Sequence, residues 1–238
     1  MRLLVTRPAE DAAPLAARLR ELGIEPVIAP LFTIEQVAGA AVDLSGVQAI
    51  LFTSANGVRA FAQASKAREH PIFVVGAATA EAARGAGFAH VESAGGDVED
   101  LARLVTARLD AGAGALYQAS GRDVAGDLKG ALESAGFTLR REVLYRAETV
   151  SQLPPEAVEA MSVRTLGGVL LFSPRTGAAF VRLALAAGHE AALAGMYAYC
   201  LSPAVASEIG SVRWRDVRVA PKPDLQSLLD LIAEEMSR

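Results

Sequence analysis

Short apolar runs alternate with segments of helical period along almost the whole 238-residue chain, and this alternation limits the fold more than any other feature. "RLLVT" (2–6) reads as a buried strand. Leu15, Leu19 and Leu22 follow at i, i+4 and i+7, with Pro14 placed to start a helix and Gly23 to end it. "EPVIAPLFTIEQ" (25–36) is extended, because its two prolines exclude a helix. Strands at 48–53 and 72–75 each lead into a helix, about 56–66 and 78–85. The short run "AHVE" precedes a helix from Asp97, which carries Leu101, Leu104, Val105 and Leu109 on one face. A strand at 114–120, a helix at 123–135 and an extended segment at 139–150 come next. Strands at 168–172, 196–201 and 217–220 and helices near 176–187, 203–209 and 224–236 complete the pattern. Such alternation builds parallel sheet covered by helices on both faces. Ten strands are too many for one sheet at this length, so two five-stranded sheets are expected.

The alternation also repeats. "ILFTSANGVRAFAQA" (50–64) and "LLFSPRTGAAFVRLA" (170–184) lie half a chain apart, and each turns from an apolar run through a small hydroxyl residue into an amphipathic segment. "VVGAATAEAARGAGF" (74–88) pairs with "YCLSPAVASEIGSV" (199–212), and "GDVEDLARLVTARL" (96–109) with "PDLQSLLDLIAEEM" (223–236). "LAARLRELGIEPVIAPLF" (15–32) pairs with "LKGALESAGFTLRREVLY" (128–145), setting Phe32 opposite Tyr145. Four pairs in the same order indicate a duplication. Taken alone, the pattern reads as two tandem domains cut near residue 113.

In an open parallel sheet, ligands bind beyond the carboxyl ends of the strands. The residues there are Thr6-Arg7-Pro8, Thr53-Ser54-Ala55-Asn56, Gly76-Ala77-Ala78-Thr79, Ala119-Ser120-Gly121-Arg122, Ser173-Pro174-Arg175-Thr176 and Leu201-Ser202-Pro203. Each turn precedes a helix whose free N–H groups and dipole favour an anion. Ser and Thr before a helix are also ordinary caps. Six such turns, with Arg7, Arg122 and Arg175 among them, point to a polyanionic small molecule.

Several classes of chemistry are missing from the sequence. There is no GxGxxG and no GxxxxGK[ST]. The isolated His70, His90 and His189 make neither a metal spacing nor a catalytic triad. Cys200 is the one cysteine, sits in an apolar run and reads as a buried strand residue. A net charge of −4 argues against nucleic acid as partner. Neither a signal peptide nor a membrane span is evident, so a cytoplasmic protein is expected.

With these turns in view, the sequence resembles the uroporphyrinogen-III synthase family along its whole length. The resemblance rests on "VTRP", "PLF" (30–32), "LFTSANGVRAF", "VVGAATAEA", "SGRD" (120–123), "VLYRAET" (143–149), "LLFSPRTGAAF", "CLSPAVA" and "VAPKPDLQSLLDLI", in that order. It implies two flavodoxin-like α/β domains with five-stranded parallel sheets, one formed by 1–34 with 150–238 and the other by 36–142. They would be joined by a two-stranded β linker of about 30–36 and 143–149. The implied substrate is hydroxymethylbilane, a linear tetrapyrrole octacarboxylate. It is closed and dehydrated with inversion of ring D, without metal or organic cofactor, by a monomer in transient contact with hydroxymethylbilane synthase.

The resemblance further implies that Tyr145 stands at the cleft between domains, as proton donor or hydrogen-bond partner to the departing hydroxyl. Ser54, Thr79 and Ser173 match hydroxyl positions of the family cleft. Where relatives carry a Thr-Thr pair, this chain has Ala204-Val205, so a hydroxyl from that loop must come from Ser202. Two other readings fit the same turns. One is a non-catalytic two-domain cytoplasmic binding protein for a polyanionic small molecule. The other is a nucleotide-sugar transferase with facing α/β domains, for which the chain is short and lacks an evident nucleotide-binding acid.

Overall fold

The computed structural model describes residues 1–124 and 126–236, and among these the alternation becomes eleven strands and ten α-helices. β1 (Arg2–Val5) is followed by α1 (Ala9–Glu21), β2 (Glu25–Ile28) and β3 (Phe32–Gln36). Then come β4 (Val47–Phe52), α2 (Ala55–Ala64), β5 (Ile72–Val74), α3 (Ala77–Gly85), β6 (Val91–Ser93) and α4 (Val98–Arg108). β7 (Ala115–Gly121), α5 (Leu128–Ser134) and the long β8 (Leu139–Thr149) lie past the middle of the chain. The remainder holds α6 (Pro155–Ser162), β9 (Gly168–Leu171), α7 (Pro174–Ala186), α8 (Glu190–Leu193), β10 (Tyr197–Cys200), α9 (Pro203–Glu208), β11 (Asp216–Val219) and α10 (Leu225–Met236).

The helix starts follow from single residues. Ser54, Asp97, Asp127 and Ser173 each accept a backbone N–H from the first turn behind them. Each such cap contributes about 1 kcal/mol. Two starts differ from the sequence reading. α1 begins at Ala9, behind Pro8, so Pro14 lies inside the helix and costs it one backbone hydrogen bond. α5 begins at Leu128 and not at 123, because the Asp127 carboxylate accepts the Gly130 N–H at 2.8 Å and so takes the cap position. Residue 125 of the expected helix and residues 237–238 of the expected first domain lie outside the described residues.

Contact clustering divides the chain into two compact units, 1–33 with 148–238, and 34–147. The first contains a five-stranded sheet of order β11-β10-β9-β1-β2, all parallel. The second sheet corrects the expectation of five parallel strands. It has six, in the order β3-β8-β7-β4-β5-β6. Five are parallel, and β3 lies antiparallel on β8: Val37 N–H bonds Leu144 O and Val150 N–H bonds Leu31 O, so one number rises as the other falls. Length explains the addition. β8 has eleven residues against seven for β7, so it outruns its parallel neighbour and offers an edge that β3 fills. The segment 25–36 therefore splits at Ala29-Pro30-Leu31, giving β2 to one sheet and β3 to the other.

β4 shows how a fully buried strand feeds two cores. Ile50 and Phe52 join Val58, Phe61, Val74, Phe88 and Tyr117 on one face. Ala49 and Leu51 join Leu101, Val105, Leu116 and Leu132 on the other. Alternate side chains point to opposite faces, so a strand covered on both sides is apolar throughout. Truncating Phe52 to Ala would cost about 3–5 kcal/mol. In the other unit, Leu3, Val5, Leu15, Leu19, Leu170 and Tyr199 pack with Leu228 and Ile232.

Candidate functional site

Strand order locates the switch points where ligands bind in such sheets. From β4 the chain moves outward to β5, and from β7 it moves the opposite way to β8, so the crevice of this unit opens where β4 and β7 end. Ser54 follows β4, Gly121 ends β7, and Tyr145 stands on the next strand out, opposite Gly121 across a register shift after Ser120. Such a bulge re-aims the side chain beside it. The Tyr145 hydroxyl comes 2.7 Å from Ser54 Oγ. To reach it, the ring crosses the end of β7, which requires Gly121: a Cβ there would lie 2.8 Å from Tyr145 Cζ. Gly57 has a similar reason, since a Cβ would lie 2.7 Å from Ala119 O where α2 presses on β7.

The hydroxyls are held by amides. Gly57 N–H donates to Ser54 Oγ at 3.0 Å. Burial pushes the Tyr145 hydroxyl above the ordinary tyrosine value, while its bonds to Ser54 and to the Gly121 backbone pull it back. Tyr145 is therefore protonated at neutral pH, with two groups placed to receive charge on its oxygen.

The other expected residues of this unit have different surroundings. Asn56 accepts a bond from Arg59 at 2.7 Å. Gly76 precedes α3, which has no side-chain cap, so the amides at Ala77 are left to solvent or to an anion. Thr79 is buried in the first turn of α3. Ser120 is buried, donating to Glu142 O at 3.2 Å and accepting from Arg141 at 2.9 Å. Arg122 is exposed just beyond Gly121.

In the other unit the switch point lies where β1 and β9 end. Thr6 is buried and donates to Leu170 O across those two strands at 2.8 Å. Arg7, followed by Pro8, lies over the Phe172 ring at 4.7 Å and pairs with Asp11 at 3.4 Å. Arg175 lies over the Phe32 ring at 4.8 Å. Ser173 caps α7 ahead of Pro174, and its Oγ meets Thr176 Oγ1 at 2.8 Å. Ser202 and Pro203 open α9, which lacks a side-chain cap.

Sequence reasoning missed Arg141, Arg59, Phe172, Asp11 and Gly57. Asp11 was findable as the i+4 partner of Arg7. Phe172 reads as the last residue of its strand, but not as the ring beneath Arg7. Arg141 sits in a polar run, "LRRE", that gives no hint of which arginine folds inward. No group of three or more His, Cys, Asp or Glu that could hold a metal occurs among the described residues. No helix among them is long and apolar enough to cross a membrane.

No curated protein sequence matches the chain. The structure is similar to uroporphyrinogen-III synthetase from Helicobacter pylori 26695, with a TM-score of 0.63 at 17% identity over 99% of this chain and 100% of that one. A methionine-substituted uroporphyrinogen III synthase from the extremely thermophilic bacterium Thermus thermophilus gives 0.55 at 18% identity, over 100% and 99%. At such identities the two structures establish a shared fold, an α/β architecture with parallel sheets. Membership comes from the family model described as uroporphyrinogen-III synthase HemD, which matches residues 13–230. The chain belongs to the uroporphyrinogen-III synthase family, the cyclising lyases of tetrapyrrole biosynthesis.

Proposed function

We propose that Ser54, Tyr145 and the Gly121 amide form the group that handles the departing hydroxyl of hydroxymethylbilane, and that the remaining turns bind the carboxylates of this substrate. In the family reaction the hydroxymethyl C–O bond breaks as its oxygen takes a proton, and water leaves. The substituted carbon of ring D then attacks the exposed methylene to give a spiro-pyrrolenine. The older bond from that spiro carbon to its bridging methylene then breaks. The other α carbon of ring D captures the released methylene, so that the ring is inverted, and loss of the proton at that carbon restores the aromatic pyrrole. Leaving-group departure is easy in such pyrroles, and the uncatalysed product forms spontaneously. The protein's main task is therefore to hold one conformation and to meet the developing charge.

The observation that carries this reading is the 2.7 Å contact between the Ser54 and Tyr145 hydroxyls at a switch point. Ser54 Oγ accepts from Gly57 and so is free to donate to Tyr145. Tyr145 then directs its own proton outward to the leaving oxygen. As that proton moves, Ser54 and the Gly121 amide share the charge on the phenolic oxygen. Arg7 and Arg175, with the uncapped starts of α1 and α3, supply positive ends for carboxylates. We read each unit as a flavodoxin-like domain, with β3 and the far end of β8 as the linker. The protein works as a cytoplasmic monomer that receives its unstable substrate through transient contact with hydroxymethylbilane synthase.

The test is a coupled assay in which porphobilinogen and a deaminase supply hydroxymethylbilane, and oxidised product isomers are separated. Isomer III is expected. Isomer I alone, as in the enzyme-free control, would leave the polyanion-binding protein as the better reading. Within the same assay, Tyr145→Phe is expected to lower kcat about a hundredfold with KM little changed. Near wild-type turnover would remove the proton-donor role.

A further inference from the structure

We infer that Arg141 is a positioning residue that fixes the Gly121 backbone against which the end of the Tyr145 ring packs. The inference rests on the reading of Tyr145 given above and adds a residue that does not itself meet the substrate. Arg141 Nε donates to Ser120 Oγ at 2.9 Å, and Nη2 donates to Gly121 O and Arg122 O, both at 2.9 Å. One guanidinium thus grips three successive residues at the end of β7. Its planar fork suits convergent acceptors, and a lysine would satisfy fewer of them.

The grip falls where the β7–β8 ladder is interrupted. Ser120 pairs with Val143 but Gly121 pairs with Tyr145, so one residue of β8 has no partner across the bulge. The ladder is irregular there and resumes only at its last pair. Ser120 Oγ adds a bond to Glu142 O at 3.2 Å, and Arg122 N–H bonds Tyr145 O at 3.0 Å. Arg122 and Asp123 beyond are exposed. Arg141 therefore sets where the Gly121 backbone lies, and the end of the Tyr145 ring packs directly against Gly121. Arg141 is itself an exposed residue, so removing it leaves no buried charge behind. The global fold is expected to survive its loss.

The experiment is NMR of protein labelled at tyrosine Cζ, combined with the isomer assay. The chain has four tyrosines, and the Tyr145 signal is assigned by its disappearance in Tyr145→Phe. In Arg141→Met the Tyr145 signal is expected to shift, because the Gly121 backbone packed against the end of its ring is no longer held. Turnover should fall about tenfold at nearly constant KM and melting temperature, as for a small misplacement of a reacting group. Arg141→Lys should recover part of the loss. In a Tyr145→Phe background, Arg141→Met should cost nothing further.

An unmoved Tyr145 signal, or the same cost in both backgrounds, would reduce Arg141 to a tie between two strands and overturn the inference. A shifted signal alongside a silent Tyr145→Phe would instead uphold the positioning while ending the catalytic role of Tyr145. Should Arg141→Met fail to fold, Ser120→Ala breaks one of the three bonds and is expected to move the same signal less.

Discussion

The two switch points have the same architecture and opposite chemistry. Where β4 and β7 end, a tyrosine and a serine share a hydrogen bond, the Gly57 amide donates to the serine, and Gly121 packs against the tyrosine ring. Where β9 and β1 end, the corresponding serine turns to Thr176, the aromatic opposite Tyr145 in the repeat is Phe32, and arginines lie over Phe32 and Phe172. One rim is built from hydroxyls that share a hydrogen bond. The other carries arginines laid over apolar rings, Arg7 being paired with Asp11 as well. On the proposed function, the duplicated frame separates chemistry from binding.

The sharpest way to break this contrast is Gly121→Ala. Its Cβ would sit within 3.0 Å of three Tyr145 atoms. Displacement of the ring should cut kcat about a hundredfold and destabilise the fold by about 1–3 kcal/mol. An unchanged kcat would mean that the hydroxyl pair is not used. Next in size is the paired comparison of Ser54→Ala with Ser173→Ala. Both lose a cap at about 1 kcal/mol, read as similar shifts in denaturation midpoint. Only Ser54→Ala should also lower kcat, by about tenfold or more. Equal kinetics for the two would erase the distinction between the rims.

A smaller effect is expected from Arg7→Met and Arg175→Met, which should each raise KM about tenfold with kcat near wild type, the signature of binding lost equally in ground and transition states. A kcat loss at constant KM would move these arginines into the chemistry. The least effect should come from Tyr117, the second tyrosine of the same unit. Its hydroxyl is buried with no partner, and burial, with Glu142, pushes it up to about 12.

The folded value of Tyr117 is therefore raised above the unfolded one. Its contribution is fully present below pH about 10 and is lost between there and about 12. Tyr117→Phe should leave neutral stability within about 1 kcal/mol and flatten the alkaline fall. A large loss at neutral pH would show that the hydroxyl has a partner in solution. Tyr145, raised for the same reason, should leave kcat flat through neutral pH, with any decline confined above pH about 10.

Much of this was legible in the sequence where the signal is local. Ser54 and Ser173 read as hydroxyls between strand and helix, and each is a cap. The apolar run of β4 read as a buried strand because both of its faces are covered. Pro14 misled because a proline near a helix start is usually its first residue, and here Pro8 takes over that boundary. Arg141 was invisible, because its role depends on a bulge in the β7–β8 ladder, and a pairing register between distant segments leaves no trace in either one alone. The Arg59 bond to Asn56 Oδ1 joins two residues of one helix turn, and neither residue type alone announces it.

By itself the sequence determined which elements form and that they come in two matching sets, because apolar period, caps and breakers are read within a few residues. It did not determine which sets fold together. The repeat runs in tandem, with a cut near residue 113. The compact units instead combine 1–33 with 148–238 and leave 34–147 as the other. The orders β11-β10-β9-β1-β2 and β6-β5-β4-β7-β8 show the consequence: each β-α-β segment lies beside strands of the opposite repeat, in equivalent places. The matching elements of the two repeats carry the same apolar pattern, so periodicity and propensity do not choose between local and exchanged pairing. The antiparallel ladder of β3 on β8 exists only in the exchanged arrangement, because it needs the chain to leave one unit beside the strand that returns to it. That is a long-range contact, and only the tertiary structure contains it.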